Sequence, residues 1–192
     1  MQRNDGFTLI ELLISVMVLA VLMAIAAPSL QNLIKDNRIL SEVYAFRANL
    51  NTARSEAMTQ RTFVSFCNSD DGQTCGGDWN RGYIAFTDFD GDGILDPGTV
   101  NGDELILSRV LDSTSIDMNL INPDSETRIR FNGQGYARNF GGTLELCDDR
   151  GATKARAVII SRVGAVSAAL NDPNDPDSGI LFDREGNNLD CN

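Results

Sequence analysis

The chain has no histidine among its 192 residues. That removes the Ser-His-Asp and Cys-His arrangements that activate most hydrolytic nucleophiles, and the chain is read as a non-enzyme. Positive charge is also scarce, with 16 Lys and Arg against 27 Asp and Glu and a net charge of −11. An acidic surface repels phosphate backbones, so nucleic acid is disfavoured as the main partner. The four cysteines include no C-x-x-C pair, which leaves a zinc site built from four thiolates little to stand on. No internal repeat and no long linker interrupts the chain. Charge is rarest of all at one place: in the 21 residues from Phe7 to Ala27, Glu11 alone ionises.

A stretch of that length spans the hydrocarbon core of a bilayer as a helix. A lone carboxylate near its start costs roughly 2.5 kcal/mol or more in lipid, so Glu11 is a functional candidate by default. A cationic partner would offset that cost, and the nearest is the free amine of a neighbouring subunit cleaved just before Phe7. A secretory signal peptide could use Ala24-Ile25-Ala26 as its small-residue cleavage site, but the apolar run is too long and the acid at its start is out of place. A plain single-span anchor, with Glu11 incidental, is the other simple alternative.

Beyond Pro28 a helical period appears. Leu33, Leu40, Val43, Phe46, Leu50, Ala53 and Ala57 recur at spacings of three, four and seven, with Lys35, Arg38, Glu42 and Arg54 largely between them. This predicts an amphipathic continuation that packs on the chain's own domain. Together the two segments make one helix over residues 7–60, with a bend expected at Pro28. From Thr62 onward short β-branched and aromatic runs follow: Thr62–Cys67, Gly82–Asp88, Glu104–Val110, Arg128–Phe131, Gly142–Cys147 and Ala157–Ser161. Turn residues separate them, which predicts an antiparallel sheet against the second half of the helix. The fold class is therefore α+β: a long N-terminal helix, its first half membrane-spanning, packed on an antiparallel β-sheet domain over residues 61–192. Asn171–Gly179 reads as a turn-rich surface loop, and Trp79, Phe63, Phe66, Tyr83 and Phe86 read as core rather than a ligand platform.

Charge is distributed unevenly, six basic and five acidic side chains in residues 1–62 against ten and 22 in residues 63–192. Arg3 is offset by Asp5, so orientation in a membrane is not legible from charge. An even cysteine count behind a membrane segment points to an oxidising compartment. Cys67 and Cys75 flank a short loop, which predicts a local bridge and leaves Cys147 to tie down the penultimate residue, Cys191.

Gly6-Phe7-Thr8-Leu9-Ile10-Glu11-Leu12 resembles the prepilin cleavage motif of type IV pilins and type II secretion pseudopilins. The resemblance implies a leader, residues 1–6, cut after Gly6 by prepilin peptidase. It further implies N-methylation of Phe7 and a docking role for Glu11 in a growing filament. The rest of the chain resembles the GspH/FimT/FimU family of minor pilins and pseudopilins. The residues that carry this are Ala53-Arg54-Ser55-Glu56-Ala57, Trp79-Asn80-Arg81-Gly82-Tyr83-Ile84-Ala85-Phe86, Leu146-Cys147-Asp148-Asp149-Arg150-Gly151 and Ala155-Arg156-Ala157-Val158-Ile159-Ile160-Ser161. It implies a pilin-like fold, a place at the filament tip or in assembly priming, and other minor and major pilins (or pseudopilins) as partners. Localisation would be the bacterial inner membrane with a periplasmic domain, then the pilus or pseudopilus. Arg54 and Glu56 are polar enough to contact a neighbour, or simply to line the helix surface.

Two further motifs bear on ligands. Asp88-Phe89-Asp90-Gly91-Asp92-Gly93-Ile94-Leu95-Asp96 has the D-x-D-x-D-G opening of a calcium loop, with Asp88, Asp90, Asp92 and Asp96 as ligands. Thr99 occupies the twelfth position, where a bidentate glutamate is wanted, although Asp103 or Glu104 lies close by in sequence. The alternative is an acidic hairpin turn. Ca2+ is the one cofactor the sequence points to. Some FimT-type members bind DNA through a C-terminal Gly-Arg-x-Arg motif; here Gly164-Ala165-Val166-Ser167 lacks both arginines, which argues against DNA capture. The sequence reading is thus a minor pilin that primes or caps type IV pilus assembly. The alternative is a GspH-type minor pseudopilin, with FimT-like DNA capture and calcium-gated adhesion as weaker readings.

Overall fold

The computed structural model describes residues 7–98, 102–111, 115–124, 127–171 and 178–191. One helix, α1 (Leu9–Gln60), is followed by β1 (Phe63–Asn68), β2 (Gly82–Asp88), β3 (Leu105–Val110), β4 (Asp117–Ile121), β5 (Arg128–Phe131), β6 (Gly142–Cys147), β7 (Arg156–Ile160) and β8 (Val166–Ala168). No glycine falls between Gly6 and Gly72, so Pro28 is the strongest opponent of helix within α1. Pro28 lies inside the helix without ending it. The C-terminus is closed by Arg61 in the left-handed region at φ 56°, with the Thr62 amide donating to the Ala57 carbonyl at 3.3 Å. That is a Schellman closure with a non-glycine residue in the position glycine usually takes.

The chain divides within α1 into two compact units, residues 1–38 and 39–192. In the first, the large apolar side chains from Phe7 to Ile34 are all more than half exposed. α1 is long and apolar enough to cross a membrane.

In the second unit, Ile39, Val43, Phe46, Leu50, Ala53 and Ala57 are the buried face of α1. Their spacing alternates four and three, which keeps one stripe on the sheet side. Leu40, read from sequence as part of this stripe, is only half-buried, and Ile39 takes its place; Leu33 is exposed. Ile39 completes the four–three alternation with Val43, whereas Leu40 lies one residue, about 100°, around the helix.

The strands form two antiparallel four-stranded sheets, ordered β3-β2-β1-β5 and β4-β6-β7-β8, where the sequence suggested one. β4 and β8 were not legible: Met118 is buried in β4 but sits between Asp117 and Asn119, and β8 has only three residues. The other strands lie within a residue of their expected bounds.

β2 is buried along its whole length, and its two faces serve different layers. Tyr83 and Ala85 join the main core with Phe46, Phe66 and Trp79. Ile84 and Phe86 face a smaller cluster with Cys67, covered by Cys75 and Leu95. Phe46 is the hub of the main core, its ring centroid 5.1 Å from Phe66, 5.0 Å from Tyr83 and 6.1 Å from Trp79. Phe63 departs from the core expectation; it is partly exposed and lies under Arg130.

The outer face of β6 is covered by the C-terminal segment. Cys147, Ala155, Ala157, Ala169, Leu181 and Leu189 form this second cluster. Bridges join Cys67 to Cys75 and Cys147 to Cys191, the pairing the spacing predicts. Of the loop expected at Asn171–Gly179, residues 172–177 lie outside the described residues.

Candidate functional site

At the start of α1, Thr8 and Glu11 cap the helix reciprocally. The Thr8 amide and hydroxyl donate to Glu11 Oε2 at 3.1 and 3.0 Å, and the Glu11 amide donates to Thr8 Oγ1 at 3.3 Å. This is a capping box, in which two amides without intrahelical partners are satisfied by each other's side chains. An unsatisfied amide in hydrocarbon costs several kcal/mol, so the box matters most for a helix that enters lipid. The carboxylate also lies in the first turn, where the helix dipole favours negative charge. Sequence reading assigned Glu11 to an intermolecular role and missed this local one. The signal was present as Thr8-x-x-Glu11. Phe7 is 88% exposed; Gly6 lies outside the described residues.

The acidic loop begins where β2 ends. Asp88 is fully buried, paired across the sheet with Phe63. Its Oδ2 accepts the Ser65 hydroxyl, and its Oδ1 has no hydrogen-bond partner among the described residues. Asp90 and Asp92 follow in turns closed by their own carboxylates. The Asp92 amide donates to Asp90 Oδ1 at 3.2 Å, and the Ile94 amide to Asp92 Oδ1 at 2.7 Å. Gly93, at φ 79°, takes the left-handed conformation this turn requires. Carboxylate oxygens of Asp88, Asp90 and Asp92 lie within 4.8 Å of one another.

Asp96, expected as a fourth member, is outside this group. Its amide instead donates to Asp103 Oδ2 at 3.4 Å, while the Phe89 amide donates to Asp103 Oδ1 at 3.0 Å. Burial, reinforced by the neighbouring Asp96 carboxyl and opposed by these amides, raises the Asp103 pKa above its ordinary value. Thr99 lies outside the described residues. Two arginines from β5 reach the loop. Arg130 donates to the Gly91 carbonyl, with its guanidinium 4.9 Å from the Phe63 ring centroid and 3.8 Å from that of Phe140. Arg128 packs against Gly93.

Other residues singled out by sequence prove to hold the fold. Arg54 donates from Nε to the Gly135 carbonyl at 3.0 Å and from Nη2 to the Val163 carbonyl at 3.2 Å, tying α1 to two turns. Glu56 accepts from Gln60 on the same helix. The stretch aligned with a DNA-binding motif is a tight turn in which the Gly164 amide donates to the Ser161 carbonyl at 2.8 Å. Gly164 has φ 77° and no room for a Cβ, which would sit 1.8 Å from the Gly135 carbonyl oxygen. At the chain end, the Cys191 amide donates to Glu145 Oε1 at 3.2 Å, and burial of Glu145 is the main cause of its raised pKa.

Comparison with known proteins bears on the family and the fold. Residues 42–164 match the family described as type II transport protein GspH, and residues 1–27 match the prokaryotic N-terminal methylation motif. No curated protein matches. Among solved structures, the fold is similar to the Pseudomonas aeruginosa type IV minor pilin FimU in two crystal forms. The P21 form superposes with a TM-score of 0.54 at 19% identity, covering 82% of this chain and 98% of that one. The P65 form gives 0.51 at 19%, covering 80% and 99%.

Proposed function

The chain belongs to the GspH family, and from that premise we propose that it is a minor pilin that primes or caps a type IV pilus. The observation that carries this reading is the exposed apolar helix from Phe7, with Glu11 as its sole charge, attached to a disulfide-closed β domain. A surface of that kind is stable only in lipid or among like helices.

In the proposed sequence of events, prepilin peptidase cuts after Gly6 and Phe7 becomes the N-methylated terminus. The helix then rests in the inner membrane with its domain in the periplasm. On assembly the Glu11 carboxylate pairs with the Phe7 amine of a neighbour, which sets axial register, and the apolar helix joins a bundle with other pilins. The capping box supports this step, because it holds the carboxylate at the helix start before any neighbour arrives. No group on the described surface is assigned a catalytic role.

A second reading, a minor pseudopilin of a type II secretion system, is favoured by the description of the matching family. It uses the same helix, the same processing and the same pairing. A deletion strain separates the two: surface pili are counted by electron microscopy and secreted proteins quantified from the same culture. Lost pili with normal secretion are the expected result. Normal pili with secreted proteins trapped in the periplasm would assign the chain to the secretion machine instead.

A further inference from the structure

We propose that the loop from Asp88 to Ile94 binds one Ca2+ through the carboxylates of Asp88, Asp90 and Asp92. The inference is independent of which filament the chain joins. Three carboxylates with oxygens inside 4.8 Å repel one another unless a cation lies between them. Oxygens that share a calcium ion at 2.3–2.6 Å can be no further apart than about 4.6–5.2 Å, and these three are close enough to share one.

Clustering alone would be an ordinary acidic turn. What distinguishes this one is Asp88. Its side chain is fully buried, one oxygen is used by Ser65, and the other is left without a hydrogen-bond partner among the described residues. A buried carboxylate oxygen without a partner carries a desolvation cost that folded proteins seldom leave uncompensated. The Asp88 carboxylate lies within 4.8 Å of those of Asp90 and Asp92, which are exposed and able to receive an ion from solution.

The ligand chemistry selects calcium. Three hard oxygens on a turn of two left-handed glycines, Gly91 and Gly93, leave coordination positions for water and carbonyls, as calcium's 6–8-fold sphere accepts. Magnesium demands near-octahedral geometry at shorter distances and dehydrates reluctantly. Arg128 and Arg130 pack on the same loop and are the competing source of positive charge. Arg130 is directed at the Gly91 carbonyl and lies against the rings of Phe63 and Phe140, and Arg128 lies against Gly93. Bound calcium would also brace the segment that carries Leu95 over Ile84 and Phe86.

The test uses the full chain in detergent micelles, stripped with chelator and melted in CaCl2 or in matched MgCl2. Dissociation constants of calcium sites in extracellular modules are about 0.1–1 mM, so a tenfold excess should raise Tm by about 4 °C. Asp90→Asn with Asp92→Asn should abolish that rise and leave the calcium-free Tm unchanged or higher, since both side chains are exposed and asparagine retains their turn acceptors. Calorimetric titration of the unmodified chain should give one Ca2+ per chain, so the result does not depend on the variant folding. No rise and no heat at about 10 mM calcium, an equal rise with magnesium, or a rise kept in the double variant would each overturn the proposal; the first would mean that the arginines alone balance the loop.

Discussion

Removing the Cys147–Cys191 bridge should destabilise the domain more than removing Cys67–Cys75, and loop length sets the difference. The two bridges span 44 and 8 residues. By the chain-entropy relation the longer loop restricts the unfolded state by about 4 kcal/mol and the shorter by about 2.5 kcal/mol. At roughly 2–4 °C per kcal/mol for a chain of this size, the losses in Tm are about 8–16 °C and about 5–10 °C.

The structure adds a second reason for the same order. Cys191 ends the segment that covers β6, where Leu189 and Leu181 are buried beside Cys147. Freed from the bridge, that segment must stay docked by its own packing. Leu189→Ala, with the bridge intact, should cost about 2–5 kcal/mol if the docking is close-packed. The assay is thermal melting of Cys147→Ala/Cys191→Ala and Cys67→Ala/Cys75→Ala against the unmodified chain in the same detergent. A short-loop variant that melts at or below the long-loop variant would refute the argument. It would mean that the Cys67–Cys75 loop stabilises through native contacts, such as those Asp71 makes to the Gln73 and Thr74 amides, rather than through entropy.

Three more outcomes are expected. Glu145 and Asp103 both have pKa values raised by burial from ordinary values of 4.5 and 3.8, so the folded state holds protons that the unfolded state releases. Their contribution is fully present below those ordinary values and is lost as pH rises through the folded pKa; melting should therefore be higher near pH 5 than near pH 8 in the absence of calcium, and Glu145→Gln should flatten that slope. An unchanged slope would show that Glu145 titrates alike in both states. Phe46→Ala, at the hub of the ring cluster, should cost about 3–5 kcal/mol in urea unfolding; a loss under about 1 kcal/mol would mean that the surrounding rings collapse into the space. Glu11→Gln keeps an acceptor for Thr8 but removes the charge, whereas Thr8→Val removes the cap, at about 1 kcal/mol, and keeps the charge. Glu11→Gln should be cleaved normally and poorly incorporated into filaments, and Thr8→Val incorporated well; the reverse pattern would make Glu11 a cap rather than a pairing residue.

Much of this was readable from local pattern. A 21-residue apolar run with one charge is a helix in lipid, where its backbone groups must be satisfied internally, and β-branched runs between turn residues are strands where they fit a pleated, half-buried surface. The capping box was equally local, four residues long, written in the sequence as Thr8-x-x-Glu11. β4 was hidden by Asp117 and Asn119 on either side of Met118. The slip from Leu40 to Ile39 has the same character: the period was plain, but its phase depends on which side the sheets approach.

The sequence by itself determined the apolar helix with its single carboxylate, the rough bounds of six of the eight strands among the described residues, and the local Cys67–Cys75 bridge, since each depends on residues near one another along the chain. Tertiary structure decided what burial means at each acid. Asp88, Asp90, Asp92 and Asp96 look equivalent in the motif, yet β1 supplies Ser65 to one oxygen of Asp88 while the other is buried without a partner among the described residues, solvent keeps Asp90 and Asp92, and Asp103 accepts from the Asp96 amide. Nothing in their spacing along the chain distinguishes those environments. The desolvation that does so is set by segments that arrive from elsewhere in the chain.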